Sequence, residues 1–396
     1  MTAPPLAGIR VVDASAYVAG PTCGAILGSM GAEVIKVEPP GGDEFRNSGP
    51  FINGTSYPFQ MLNHNKQSIV VDLKNPDGVK VVRELARSSD VFLQSWRPGT
   101  ADRLGVGYDD LLAFNSRLIY CSISGFGQSG PYRDRGGVDI IAQAMGGLMG
   151  LTGEPGRPPV KVSYPITDIG ASLWGVIGIL AALTARHTTD HGQHVDVALL
   201  DSPVSWSIWE AAQYFGTGEV PRPIGSSHRN VAPYRAFECS DGLYIAVGVA
   251  SQNMWQRLCT ALDAGELFSD ERFTSLNLRR ENRETLEAAL EGIFRKGQRQ
   301  EWLQILEAAG IPAGPVYSYD EVLSDPQVKH RGLVTEIQHP VAGSMQVLDV
   351  PLFLSETPRQ QMAPAPILGD STSSVLRSAG FSDGDIDRLL ASSAVY

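Results

Sequence analysis

Apolar and polar positions alternate in two rhythms along the first two hundred residues. GIRVVDAS is a short β-rich run ending at a polar turn, and AYVAGP reads as a loop. TCGAILGSMG then reads as a small-residue helix closed by glycine, and AEVIKVEPP as a second strand. The unit recurs as SIVVDL, DGVKVVRELARSS, DVFLQSW, DDLLAFNS and RLIYCSISGFG. An apolar helix after Asp168, a strand GQHVDVALL and a helix DSPVSWSIWEAAQYFG follow. Strands alternating with helices predict an α/β fold: a parallel, doubly wound, Rossmann-like sheet with ligands at the strand ends.

The rhythm then breaks. GTGEVPRPIGSSHRNVAP is rich in Gly, Pro and Ser and reads as a linker. YRAFECSDGLYIAVGV predicts a hairpin turning at Ser240-Asp241-Gly242, and charged amphipathic helices such as RRENRETLEAALEGIFRK follow it. This predicts a smaller α+β domain. LVTEIQHPVAGSMQVLDVPLFL reads as two strands, and a helical tail ends the chain.

Composition narrows the partners. The net charge is −11 over 396 residues, with Lys and Arg scattered, which argues against a nucleic-acid or anionic-membrane face. Any anionic ligand must be met by a few placed arginines and backbone N–H groups. Cys23, Cys121, Cys239 and Cys259 are far apart and form no CxxC pair, as expected of reduced thiols in a cytoplasm. The first residues lack a signal-peptide pattern, and the uncharged run Ile169 to Ala185 falls short of the ~20 residues of a spanning helix. A soluble cytoplasmic protein is expected.

Several chemistries lack support. The first loop has no GxGxxG, although an acidic residue, Glu38, ends the second strand, so a dinucleotide site is disfavoured. His191 and His194 in HGQH lie at a turn entering a strand with no nearby third ligand, so no metal site is expected. No serine sits in a GxSxG elbow. In SWRPGTADRLG, Arg97 follows a strand and Arg103 opens a short turn; two cations there suit phosphates or ordinary salt bridges equally. Asp168 opens the apolar helix and suits two roles. It would cap that helix, or serve as a nucleophile kept ionised by the helix dipole, with Gly170, Ala171 and Ser172 leaving room for a ligand.

Seven stretches, in series over nearly the whole chain, resemble the class III CoA-transferases, which include formyl-CoA and carnitine CoA-transferases and the related α-methylacyl-CoA racemases. They are GIRVVDASAYVAGPTCGAILGSMGAEVIKVEPPGGDEFR, NHNKQSIVVDLKNPDG, WRPGTADRLGVGYDDL, RLIYCSISGFGQSGPYRDRGGVD, PITDIGAS, HGQHVDVALLD and AGIPAGPVYSYDEVLSDPQVKHRGLV. The resemblance implies an interlocked homodimer and a large domain built from both chain ends. That domain would hold residues 1–205 and 331–396, with a linker over 206–224 and a small domain over 225–330. It implies acyl-CoA as substrate and no permanently bound cofactor or metal.

The resemblance also makes Asp168 the nucleophile, passing through anhydrides and an aspartyl-CoA thioester. Val18 and Ala19 match residues lining pantetheine, Leu73 and Lys74 an adenosine-side strand end, and Ser95, Trp96 and Arg97 an adenine and phosphate segment. Arg103 matches a phosphate arginine and Asp139 an acidic residue beside the active site. Three positions depart from the pattern. Val138 stands where the racemases carry a base, Pro39 replaces a nucleotide-binding arginine, and SDGLYIAVGVASQ lacks the glycine run of an oxalate loop. The expected reaction moves CoA from a donor such as succinyl-CoA to a carboxylic acid. An α-carbon racemase with Asp168 as base, and a non-catalytic CoA-binding protein, stay open. His228, Arg229 and Tyr234 read as linker packing or as acceptor-side residues.

Overall fold

The computed structural model describes residues 3–396. Its central sheet contains β1 (Arg10–Ala14), β2 (Glu33–Glu38), β3 (Lys66–Val70), β4 (Val91–Gln94), β5 (Ile119–Ser124) and β6 (His194–Ala198). All pairs are parallel, in the order β3-β2-β1-β4-β5-β6. The order reverses between β1 and β4, and the crevice beyond their carboxyl ends is where an open α/β sheet receives a ligand.

Alternation along the strands sorts side chains to two faces. Val11, Val34, Leu93, Cys121 and Ile123 pack with α1 (Ala19–Ser29) and the long helix Ile166–Thr189. Val12, Ile35, Ile69, Phe92 and Tyr120 pack against Val81, Val82 and Leu85 of the helix Pro76–Arg87 and against Val375, Leu376 and Ile386 near the chain end. Asn75 caps the helix Pro76–Arg87 by accepting the Asp77 N–H, with proline at its first position. Val71 bridges Val395, so the last residues close onto the sheet made by the first.

At 24 residues, the helix Ile166–Thr189 is longer than the uncharged run suggested and long and apolar enough to cross a membrane. Its residues Ala171, Val176, Ile179, Ala182 and Leu183 nevertheless belong to the core described above. Gly175 is small because a Cβ there would come within 3.2 Å of the Cys23 sulfur.

The chain divides into two compact units. The first runs to Gly147, resumes over Val162–Trp206 and ends with Pro326–Tyr396; the second comprises Leu148–Lys161 and Ser207–Asp325. The expected boundaries differ in three respects. Residues 148–161 fall in the second unit, the expected linker contains a helix, Ile208–Thr217, and the second unit ends at Asp325. Segment 148–161 has no periodic pattern of its own, and its partners are distant in sequence: the Gly225 N–H donates to Gly153 O.

The second unit holds an antiparallel sheet of β7 (Tyr234–Glu238), β8 (Tyr244–Gly248) and β9 (Ala313–Pro315). The predicted hairpin is present, with Gly242 at φ 74° in its turn. Its core gathers Phe237, Trp255, Phe273 and Phe294. The two strands read near the chain end form a separate hairpin, β10 (Val334–His339) with β11 (Gly343–Leu348).

Candidate active site

The site is built from the β1–α1 loop upward. Beneath it two fully buried lysines hold the chain. Lys66 Nζ donates to Asp13 Oδ2 and to Pro21 O, both at 2.8 Å, and to Asn63 Oδ1 at 2.9 Å. Lys36 Nζ donates to Asp43 Oδ2 at 2.8 Å and to Ser15 O at 3.1 Å. Burial lowers the Lys66 pKa to about 8 despite its partner Asp13. α1 is made of small residues because it lies on this pair: a Cβ on Gly24 would sit 2.7 Å from Asp13 Oδ2. Above the lysines, the Ser95 hydroxyl accepts the Ala16 N–H at 3.0 Å and donates to Ala16 O at 3.3 Å. Tyr17 takes φ 66°, uncommon for a side chain of its size.

Asp168 is the third residue of its helix. The cap position is Pro165, which makes no side-chain cap bond, so Asp168 is not the N-cap the sequence suggested. Among the described residues no hydrogen bond reaches its carboxylate. Its backbone carbonyl accepts the Ser172 hydroxyl at 2.7 Å, and the same hydroxyl lies 2.7 Å from Ala19 O, joining this turn to the first loop. Burial, and then the charge of Asp139, raise the Asp168 pKa from 3.8 to about 7. Desolvation and a like charge thus oppose the helix dipole, which by position alone would keep this carboxylate ionised.

Asp139 opens the helix Asp139–Met145. Its Oδ1 accepts the Thr167 N–H at 2.9 Å and the Thr167 hydroxyl at 2.7 Å, and its Oδ2 accepts Gln143 Nε2 at 2.7 Å. Both oxygens are engaged in holding the first turn of the helix that carries Asp168. Asp139, which the resemblance matches to an acidic residue beside the active site, is thus tied to Thr167 and Gln143.

A cavity of about 610 Å³ opens at the switch point, lined among others by Val18, Ala19, Ser95, Trp96, Arg97, Asp139 and Asp168. Seven of the residues singled out in the sequence therefore share one wall. Val138 lines it too, and no histidine does among the described residues. Tyr17, Phe45, Arg133 and Arg135 also line it and were missed. Arg133 and Arg135 sit in the loop GPYRDRGG, which has no periodicity and reads as a solvated turn. Arg135 rests over the Tyr132 ring at 4.6 Å. Gly125 and Gly137 bring this loop against the end of β5, since a Cβ on Gly137 would fall 2.6 Å from the Gly125 Cα.

Leu73, Lys74 and Arg103 lie outside this cavity. Leu73 packs against the second core face, the Lys74 N–H donates to Asp72, and Arg103 donates to the Thr100 hydroxyl at 2.9 Å. In the second unit, His228 packs its ring against Trp209 and Tyr234, and Arg229 pairs with Glu210 at 3.0 Å. Those partners fit the packing reading of the segment. No group of three His, Cys, Asp or Glu side chains among the described residues is placed to hold a metal.

The crevice at the switch point of this doubly wound parallel sheet gathers two carboxylates, Asp139 and Asp168, and three arginines, Arg97, Arg133 and Arg135. The sequence model of CoA-transferase family III matches residues 6–372, and the chain belongs to that family. The succinyl-CoA:glutarate CoA-transferase of Mus musculus is 38% identical over 394 residues, covering 99% of this chain and 90% of the mouse protein. The succinate–glutarate CoA-transferase of Agrobacterium fabrum is 36% identical over 381 residues, covering 94% and 95%. A crystal structure of a CAIB/BAIF family protein from Brucella suis superposes with a TM-score of 0.85 at 36% identity, covering 96% of this chain and all of that one. The protein is an acyl-CoA:carboxylate CoA-transferase, an enzyme whose substrates are CoA thioesters and carboxylic acids.

Proposed function

We propose that Asp168 is the covalent nucleophile of this transferase, with succinyl-CoA as donor and a dicarboxylic acid such as glutarate as acceptor. The observation that carries the reading is the Asp168 carboxylate itself: half-buried in the switch-point cavity, without a hydrogen bond among the described residues, and shifted to about 7. A desolvated carboxylate ionises at neutral pH only in part, and its ionised form is a stronger nucleophile than a solvated one. The names of the mouse and Agrobacterium relatives support the choice of succinate and glutarate.

The reaction balances without a net proton. The Asp168 carboxylate attacks the donor acyl carbon, the C–S bond breaks, and CoA thiolate leaves behind a mixed anhydride. The thiolate then attacks the Asp168 acyl carbon, forming the aspartyl-CoA thioester and releasing succinate. The acceptor carboxylate attacks that thioester and expels the thiolate, giving a second anhydride. Attack of the thiolate on the acceptor acyl carbon yields product acyl-CoA and regenerates Asp168. Each anhydride is more activated than the thioesters on either side of it, and no acyl bond is lost to water, so the donor thioester is exchanged for a product thioester of similar energy.

Val18 and Ala19 beside Asp168 suit the pantetheine arm, and Trp96 and Arg97 at the end of β4 suit the nucleotide. Leu73, Lys74 and Arg103, outside the cavity, are proposed as its outer contacts. Exposed apolar side chains such as Leu173, Trp174, Ile177, Ile208 and Phe215 support burial against a second copy, in an interlocked homodimer. Four free cysteines, all buried, support a reducing, cytoplasmic setting.

Racemisation needs a proton acceptor on each face of the α-carbon. The cavity offers Asp168, an exposed Val138 and an Asp139 already bonded to Thr167 and Gln143, which favours transfer. The test is mass spectrometry after brief exposure to succinyl-CoA in deuterated buffer. A CoA adduct on the peptide bearing Asp168, absent from Asp168→Ala, supports the transferase route. Deuterium entering the acyl α-position without an adduct overturns it.

A further inference from the structure

Gln94 is a polar side chain placed where β4 is otherwise apolar, and it is 3% exposed. It is the last residue of the strand, two before Trp96. Its carbonyl oxygen Oε1 accepts the Trp96 N–H at 2.7 Å. Its amide nitrogen Nε2 meets the Ser122 hydroxyl at 2.7 Å, across the register pair Gln94↔Ser122 of β4 and β5. Ser122, itself 1% exposed, lies 2.8 Å from Nε2 of His194, on the edge strand β6.

The directions of the first two hydrogen bonds in this chain follow from one end. A backbone N–H can only donate, so the Gln94 oxygen must face Trp96 and its NH₂ must face Ser122. The amide then donates to the serine oxygen, and His194 Nε2 is the acceptor within reach of the serine proton, to which that proton is assigned. His194 is thereby a neutral acceptor with its proton on Nδ1. Its ring is held in place by Tyr108, stacked at 5.1 Å, and by Tyr120, edge-on at 5.4 Å. Burial also lowers the His194 pKa, in keeping with a neutral ring.

We infer that His194, Ser122 and Gln94 are positioning residues for the CoA-binding turn Ser95–Trp96–Arg97. None of the three lines the cavity among the described residues, and Asp168 is carried by other elements. The chain of bonds fixes the Trp96 peptide, and with it the Trp96 ring and Arg97 at the cavity wall. It gives the second histidine of HGQH a role that neither metal binding nor proton transfer supplies. The inference rests on the cavity being the CoA site.

The experiment measures the Kd for CoA by calorimetry on the whole chain, together with steady-state kinetics. Gln94→Leu, Ser122→Ala and His194→Leu are expected to raise the Kd for CoA and the KM for acyl-CoA about tenfold, the loss of one buried hydrogen bond. Their kcat at saturating acyl-CoA should stay within about twofold of wild type. His194→Gln, whose side-chain carbonyl can accept the Ser122 proton, should restore binding. Because His194 lies at the sheet edge, the Leu and Gln variants carry the test if Gln94→Leu does not fold. Unchanged Kd in all variants, or a fall in kcat at constant Kd, would overturn the inference. A wild-type chain that does not bind CoA would sink the CoA site and this role with it, a result distinct from wild-type binding with indifferent variants.

Discussion

Thr167 gives Asp139 both its backbone N–H, at 2.9 Å, and its hydroxyl, at 2.7 Å. A carboxylate on one helix thereby holds the first turn of another, and the next residue along that turn is Asp168. The contact orients Asp168 and places a like charge beside it, the second cause of its raised pKa.

Asp139→Asn should therefore move the pH dependence of catalysis. On the proposed mechanism Asp168 attacks when ionised, so the rate should rise through a pKa of about 7. An asparagine oxygen still accepts from Thr167, but the negative charge is gone. The acid limb of the pH–rate profile for adduct formation should shift to lower pH. A limb that stays in place would show that burial alone sets the value.

Asp168→Asn should stabilise the fold while abolishing transfer. The carboxyl has a folded pKa of about 7 against 3.8 ordinarily, so the folded state binds its proton more tightly between those values. The stability it contributes is present at low pH and is lost as pH rises through 7. At pH 8 the variant should exceed wild type by about 1–2 kcal/mol in urea, after allowance for solvent screening. The difference should close below pH about 4. A variant less stable than wild type at pH 8 would contradict the cost assigned to this carboxylate.

Ser172→Ala removes the hydroxyl placed 2.7 Å from both Ala19 O and Asp168 O. Turnover should fall about tenfold, with about 1 kcal/mol lost in stability. Steady-state kinetics and a urea melt on the same preparation check both. Full activity would mean that the two backbones hold their places without this bond.

Lys66→Met should be the most damaging of these changes. It leaves Asp13 buried and unpaired and strips a donor from Pro21 O and Asn63 Oδ1. Breaking one side of a buried pair costs about 3–5 kcal/mol. Equilibrium unfolding in urea measures it. A loss under about 1 kcal/mol would show that water has replaced the ammonium.

Much of the fold was legible because it is local. VVDA, SIVV and VFLQ are short, nearly continuous apolar runs of the kind a parallel strand covered on both faces requires, and the intervening helices follow their own period. Asp168 at the head of an apolar helix, and Arg97 after a strand, stood out because charge at an element end is a local signal. The family resemblance then joined them into one site, and seven of the residues it named line one cavity.

Other features depend on contacts between residues far apart in the chain, and only the tertiary structure decided them. Arg133 and Arg135 come to the cavity because Gly137 crosses Gly125 without a Cβ between them. Asp139 accepts from Thr167, 28 residues away, while lining the same cavity. Lys66 reaches Asp13 across 53 residues, and segment 148–161 joins the second unit through Gly225. The pKa of Asp168 is of the same kind. Its residue type and helix position favour the charged form, whereas burial and the approach of Asp139 oppose it, and both exist only once the chain has folded.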